Sequence, residues 1–128
     1  MNSRALLAGT LIALGLVGLA EEGRAARVVS GTLRHQGRAR TFRVLVPKGH
    51  RKESASPLVL ALHGGGGTAE ALDRMTTHQF AREADARGWL VVFPQGVAKG
   101  WNDGRPLKSL RDRRRRGVDD VAFLGALI

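Results

Sequence analysis

The sequence predicts an α/β fold in which a β-hairpin precedes a parallel βαβ unit. Two unbroken apolar runs, Leu58 to Leu62 and Trp89 to Phe93, have strand length and are separated by a stretch of helical character. That is the sequence form of a right-handed crossover between parallel strands covered on both faces. Each run leads into a glycine-rich loop, HGGGG at 63–67 and QGVAKGWNDGR at 95–105. Both loops therefore leave the carboxyl edge of one sheet, the edge at which open α/β sheets bind ligands.

The elements follow in order. Arg4, an apolar stretch from Ala5 to Leu19, and the small residues Gly18 and Ala20 ahead of Glu21 and Glu22 have the three parts of a secretory signal peptide. The expected arrangement is a signal peptide over 1–20 and a folded part over 21–128, with the mature chain extracellular or periplasmic and in contact with a membrane only transiently. The stretch falls short of the ~18 apolar residues of a spanning helix, and a retained anchor is the competing reading. There is no cysteine, so no disulfide contributes to stability.

Arg27 to Leu33 and Thr41 to Val46 read as the hairpin strands, with Gly37 as the turn residue in the connection. In the second strand Phe42, Val44 and Val46 alternate with Thr41, Arg43 and Leu45 and are expected to face the core. Pro47 ends that strand, and a polar connection leads to the run at Leu58. Beyond the glycines the helical pattern is broken near Thr76 and Thr77. The expectation is a short irregular piece and then a helix from about His78 to Arg87, started by Thr77 and ended by Gly88, with Phe80, Ala81 and Ala84 inward and Glu83 paired to Arg87. Near the end of the sequence, Asp119 and Asp120 suit the start of a helix in which Val121, Leu124, Leu127 and Ile128 share a face. The stripe stops at Ile128 without a C-cap, so the chain looks cut.

The formal charge is +10, with a sequence pI of about 11.6. Without residues 1–20, which hold one basic residue and no acidic one, it is +9. Such a balance suits polyanions, but Arg111, Arg113, Arg114, Arg115 and Arg116 form one short run without interleaved aromatics. The run reads as a solvated loop with no nucleic acid expected, or alternatively as the working surface of a small polyanion-binding module.

The glycine loop carries the chemistry. Bare backbone can take positive φ and turn N–H groups toward a ligand or a reacting oxygen, whereas a tight turn needs only one or two glycines. A phosphate-binding loop would close with G-K-[ST], but Thr68 directly follows Gly67 and no lysine is near. His35, His50 and His78 have no metal-ligand spacing, so neither a metal nor another cofactor is implied.

The hairpin, PLVLALHGGGG, a helix, GWLVVFPQG, WNDGR and VDDVAFLGALI follow in an order and spacing that resemble secreted esterases of the poly(3-hydroxybutyrate) depolymerase and feruloyl esterase group, over about residues 40 to 128. Those are α/β-hydrolases, and the match is to the N-terminal part of their sheet. The resemblance implies carboxylic ester hydrolysis through a serine acyl-enzyme, with a Ser, Asp and His triad and a backbone oxyanion hole. It places His63, Gly64, Gly65, Gly66, Gly67 and Thr68 in the oxyanion loop, with His63 holding the loop by a side-chain hydrogen bond. Which of Gly65, Gly66, Gly67 or Thr68 donates the N–H stays open. Trp101 and Asn102 become candidates for contacting an ester of polyester or plant cell-wall origin, with Trp101 packing on its own domain as the alternative. The family's G-x-S-x-G is missing. Ser3, Ser30, Ser54, Ser56 and Ser109 do not stand in that motif, so the triad is expected beyond Ile128, and the chain alone is expected to be inactive. The sequence implies no oligomeric state.

Overall fold

A single mixed sheet organises the chain in the computed structural model, which describes residues 25–106 and 108–128. The expected signal peptide lies outside the described residues. Strands β1 (Arg27–His35) and β2 (Arg38–Val46) form the hairpin, in register from Arg27 opposite Val46 to His35 opposite Arg38. The strands are longer and the turn tighter than expected. Gln36 and Gly37 alone make it, with φ of 49° and 71°, the two left-handed residues whose twist matches a two-residue hairpin.

The βαβ unit follows as predicted in topology. Strand β3 (Leu58–Leu60) pairs parallel with β4 (Leu90–Pro94), and β4 pairs antiparallel with β2, so the order is β1-β2-β4-β3. Strand β3 is shorter than the expected Leu58 to Leu62 and only half-buried, because it lies at the edge of the order; Leu62 is exposed. Strand β4, between two partners, is the buried one.

One helix, α1 (Ala69–Arg87), replaces the broken pattern expected between Thr68 and Arg87. Thr68 caps it, its Oγ1 accepting the Ala71 N–H at 3.0 Å, and Thr77 is interior. The break expected near Thr76 and Thr77 does not occur. Asp73 is buried against β2, where Arg43 Nε donates to its Oδ2 at 2.7 Å, and Thr76 Oγ1 donates back to the Leu72 carbonyl. The inward stripe therefore runs on through two polar positions. Gly88 ends the helix as expected, at φ 69°.

The core lies between α1 and the sheet: Leu45, Ala69, Ala84, Val91 and Phe93, with Phe80 edge-on to Phe93 at 5.7 Å. Full burial of residues such as Leu45 and Phe93 stabilises by about 1.5–3 kcal/mol each. Leu45 and Arg43 face α1, so the expected assignment of Phe42, Val44 and Val46 to the core side is corrected. Phe42 and Val44 line the opposite face with Leu58 and Leu90, beside Leu127.

Two short helices close the described chain, α2 (Leu110–Arg113) and α3 (Asp120–Gly125). The buried side of α3 is Asp120 and Phe123, with Leu127 half-buried beyond it, while Val121 and Ile128 are exposed. The expected apolar face is displaced because a buried aspartate takes the first inward position. Among the described residues, no helix is long and apolar enough to cross a membrane.

Candidate functional site

The glycine loop leaves β3 at the carboxyl edge and folds as a turn in which the Gly67 N–H donates to the Gly64 carbonyl at 3.0 Å. Gly66 has φ 83°, which suits glycine at the third position of such a turn. Its N–H donates to the Lys99 carbonyl at 2.7 Å. That carbonyl belongs to a 3-10 turn at Val97–Lys99 in which Ala98 and Lys99 hold φ of 49° and 58°, a conformation costly for residues with a Cβ. Strain in one loop thus aims an acceptor at the other. Two of the four glycine N–H groups are thereby spent, and the Gly64 and Gly65 N–H groups meet no acceptor among the described residues.

His63 fixes both loops. The ring is buried, and its Nε2 accepts the Gly96 N–H at 3.1 Å, so Nδ1 carries the proton and donates to the Gly64 carbonyl at 2.8 Å. Gln95 adds to this contact: its Nε2 lies 3.2 Å from His63 Nε2 and donates to the Gly96 carbonyl, and its Oε1 accepts the Ala69 N–H. Trp101 closes the other side, donating Nε1–H to the His63 carbonyl at 2.8 Å with the two rings 5.0 Å apart.

A buried ion pair sets the position of the Trp101 loop. Arg40 Nη2 donates to Asp120 Oδ1 at 2.7 Å, and the Arg40 guanidinium lies 3.8 Å over the Phe123 ring. Asp120 Oδ2 accepts the Asn102 N–H at 2.7 Å, and Asn102 Nδ2 donates to the Val118 carbonyl at 2.8 Å. The side-chain amide of Asn102 thus turns inward. Asp119 has the capping role instead, accepting the Ala122 N–H.

These loops enclose one side of an open cavity of about 890 Å³, whose lining includes Gly65, Gly66 and Trp101 and, from the following segment, Asp103, Arg105, Lys108, Ser109, Arg111, Asp112 and Arg115. Trp101 both packs on its own domain and lines this cavity. Thr68 lies outside it, as the helix cap. Ser109 reaches the cavity, but its Oγ accepts the Asp112 N–H while the Asp112 carboxylate accepts the Ser109 N–H, a reciprocal cap of α2. The Asp112 carboxyl is held below its ordinary 3.8 by the Ser109 side chain first and by the Ser109 N–H and Arg115. Asp103 is likewise lowered, chiefly by its hydrogen bond from Arg105, whose own value rises in return.

The arginine run is largely solvated, as expected: Arg111, Arg113, Arg114 and Arg116 are exposed, Arg111 lying beside Gly66, while Arg115 pairs with Asp112 and lies over Gly100. Among the described residues, no group of three or more histidine or acidic side chains is placed to hold a metal ion. Arg40, Gln95, Lys99 and Asp120 are the supports that sequence reasoning missed. A charged residue in the apolar stripe with Phe123 and Leu127 was the signal available for Asp120; the Lys99 backbone left none.

The chain superimposes on a ferulic acid esterase with a TM-score of 0.50 at 19% identity, covering 80% of this chain and 43% of that one. A CE1 ferulic acid esterase from Anaeromyces mucronatus, solved with ferulic acid, gives the same TM-score at 16% identity, covering 84% and 44%. The fold is that of the α/β-hydrolases. In sequence the chain is 36% identical over 84 residues to "Putative esterase NocK" of Nocardia uniformis subsp. tsuyamanensis, across 65% of this chain and 24% of that protein. The chain is thus similar in sequence to an esterase, and spans about a quarter of that relative's length. No protein-family model matches it.

Proposed function

We propose that the chain is the oxyanion-loop part of an exported serine carboxylic ester hydrolase, contributing one of the N–H donors that stabilise the tetrahedral intermediate. The observation that carries this reading is the Gly65 N–H, left without an acceptor among the described residues at a cavity edge while Gly66 and Gly67 are tied down. In acyl transfer the carbonyl oxygen gains a full charge, and one preplaced donor is worth about 2.7–4 kcal/mol of barrier. Gly65 must be held still for that value to be realised. His63, through Gly64, and Lys99, through Gly66, do so from both sides.

His63 acts as a positioning residue, because both ring nitrogens face backbone groups of the two loops. Ser109 is not the nucleophile in this scheme, since its hydroxyl caps α2. The attacking serine, with its acid and base, belongs to a G-x-S-x-G segment outside residues 1–128. Polyhydroxybutyrate-type polyesters and feruloylated plant polymers are the proposed substrates. Trp101, the aromatic wall of the cavity, suits the aromatic acid named for the ferulic acid esterases.

The test is hydrolysis of p-nitrophenyl acetate by the 128-residue chain and by a chain extended with the adjoining coding sequence. The expected result is no turnover by the first, and turnover by the second through a G-x-S-x-G serine. Hydrolysis by the 128-residue chain, or an adjoining sequence without that motif, contradicts the proposal.

A further inference from the structure

The cavity beside the glycine loop is unevenly charged. Four cations line it, Arg105, Lys108, Arg111 and Arg115, against two acids, Asp103 and Asp112. Each acid is taken: Asp103 Oδ2 lies 2.6 Å from Arg105 Nη2, and Asp112 Oδ1 is bound by Arg115 Nη2. Lys108 and Arg111 are left with no acidic partner among the described residues. Arg111 is also placed at the proposed reaction site, because a Cβ on Gly66 would stand 3.8 Å from its Nη1. That is ordinary contact distance, so the guanidinium lies beside the loop, one residue from the Gly65 N–H.

Two unpaired cations on the wall of a cavity that also holds a carbonyl-oxygen donor select for a second, anionic group on the same ligand. We infer that this cavity takes an ester bearing a free carboxylate, with Arg111 and Lys108 as the residues that read its charge. The inference rests on the ester-hydrolase reading above and names its substrate class. Arg111 supplies a planar fork matched to a carboxylate, and Lys108 a compact point charge. A short dicarboxylic monoester can span from the Gly65 N–H to Arg111, whereas its diester has the same length and no charge to offer. The two arginines already paired cannot substitute without releasing their aspartates.

The experiment uses the 128-residue chain with Trp89→Phe, which leaves Trp101 as the sole tryptophan and a reporter on the cavity wall. Its fluorescence is titrated at low salt with monomethyl succinate, dimethyl succinate and sodium sulfate. Monomethyl succinate is expected to half-saturate at about tenfold lower concentration than dimethyl succinate, from one charge-assisted hydrogen bond. Arg111→Ala and Lys108→Ala should each shrink that advantage, and the double variant should bring the two esters to parity. Both side chains are exposed, so these variants retain the fold. Equal half-saturation by the two esters in the parent overturns the charge reading and leaves the ester site standing. An advantage that survives the double variant overturns the assignment to Arg111 and Lys108. Sulfate acting at the same concentration as monomethyl succinate overturns the choice of a carboxylate ester. No response of Trp101 to either ester overturns the ester-hydrolase reading and this inference with it.

Discussion

Arg40 Nη2 and Asp120 Oδ1 stand 2.7 Å apart with both side chains almost wholly buried, joining the hairpin to the last helix across 80 residues of sequence. The second carboxylate oxygen of Asp120 holds the Asn102 N–H, so one ion pair locates the loop carrying Trp101. Removing one partner of a buried pair leaves an uncompensated charge, at a cost of about 3–5 kcal/mol. Asp120→Ala is expected to lose that much in urea unfolding and to red-shift Trp101 emission. Arg40→Met with Asp120→Leu should recover most of the stability, because two apolar groups leave no charge stranded, while the emission shift persists.

Gly96 and Gly31 make a contrasting pair. A Cβ on Gly96 would lie 2.2 Å from the Gly100 carbonyl oxygen, backbone that the 3-10 turn holds in place. A Cβ on Gly31 would lie 2.4 Å from Phe42 Cζ, the far end of a side chain on a half-covered sheet face. Gly96→Ala is therefore expected to cost at least about 2 kcal/mol, within the range for overpacking. Gly31→Ala should cost less than about 1 kcal/mol, since the ring can swing aside. Thermal unfolding of the two variants checks the order.

Acid should unlatch α2. The Asp112 carboxyl sits below its ordinary 3.8 through Ser109 and Arg115. A depressed folded value means that its contribution is fully present above 3.8 and is lost as pH falls through the lower value. The Ser109 amide resonance should move on titration from pH 5 downward, with its midpoint below 3.8. In Asp112→Asn that transition should disappear. A midpoint above 3.8 would contradict the reciprocal cap.

Much of this was legible in the residue pattern, for physical reasons that also explain the gaps. Continuous apolar runs of strand length bounded by glycine and proline read as buried strands, so Leu58–Leu60 and Leu90–Pro94 were readable as a parallel pair, although β3 at the sheet edge is only half-buried. Glycine after a strand announces bare backbone, so the loop was readable too. What failed were positions where a charge is buried. Asp73 faces the sheet because its partner Arg43, 30 residues away, lies there, and Asp120 displaced the expected face of α3 because Arg40 lies on β2. Pattern reading assigns charges to solvent, and only the fold brings such partners together. The role of Lys99 was equally hidden, since it acts through a backbone carbonyl.

The measurement that bears most directly on the central claim is a titration of the 15N-labelled 128-residue chain with sodium ferulate, followed by amide resonances. A carboxylate oxygen entering the proposed oxyanion position should shift the Gly65 amide strongly, with the Gly66 and Gly67 amides, held by Lys99 and Gly64, moving little. An unmoved Gly65 amide, or a shift confined to the exposed arginines 113, 114 and 116, would contradict it.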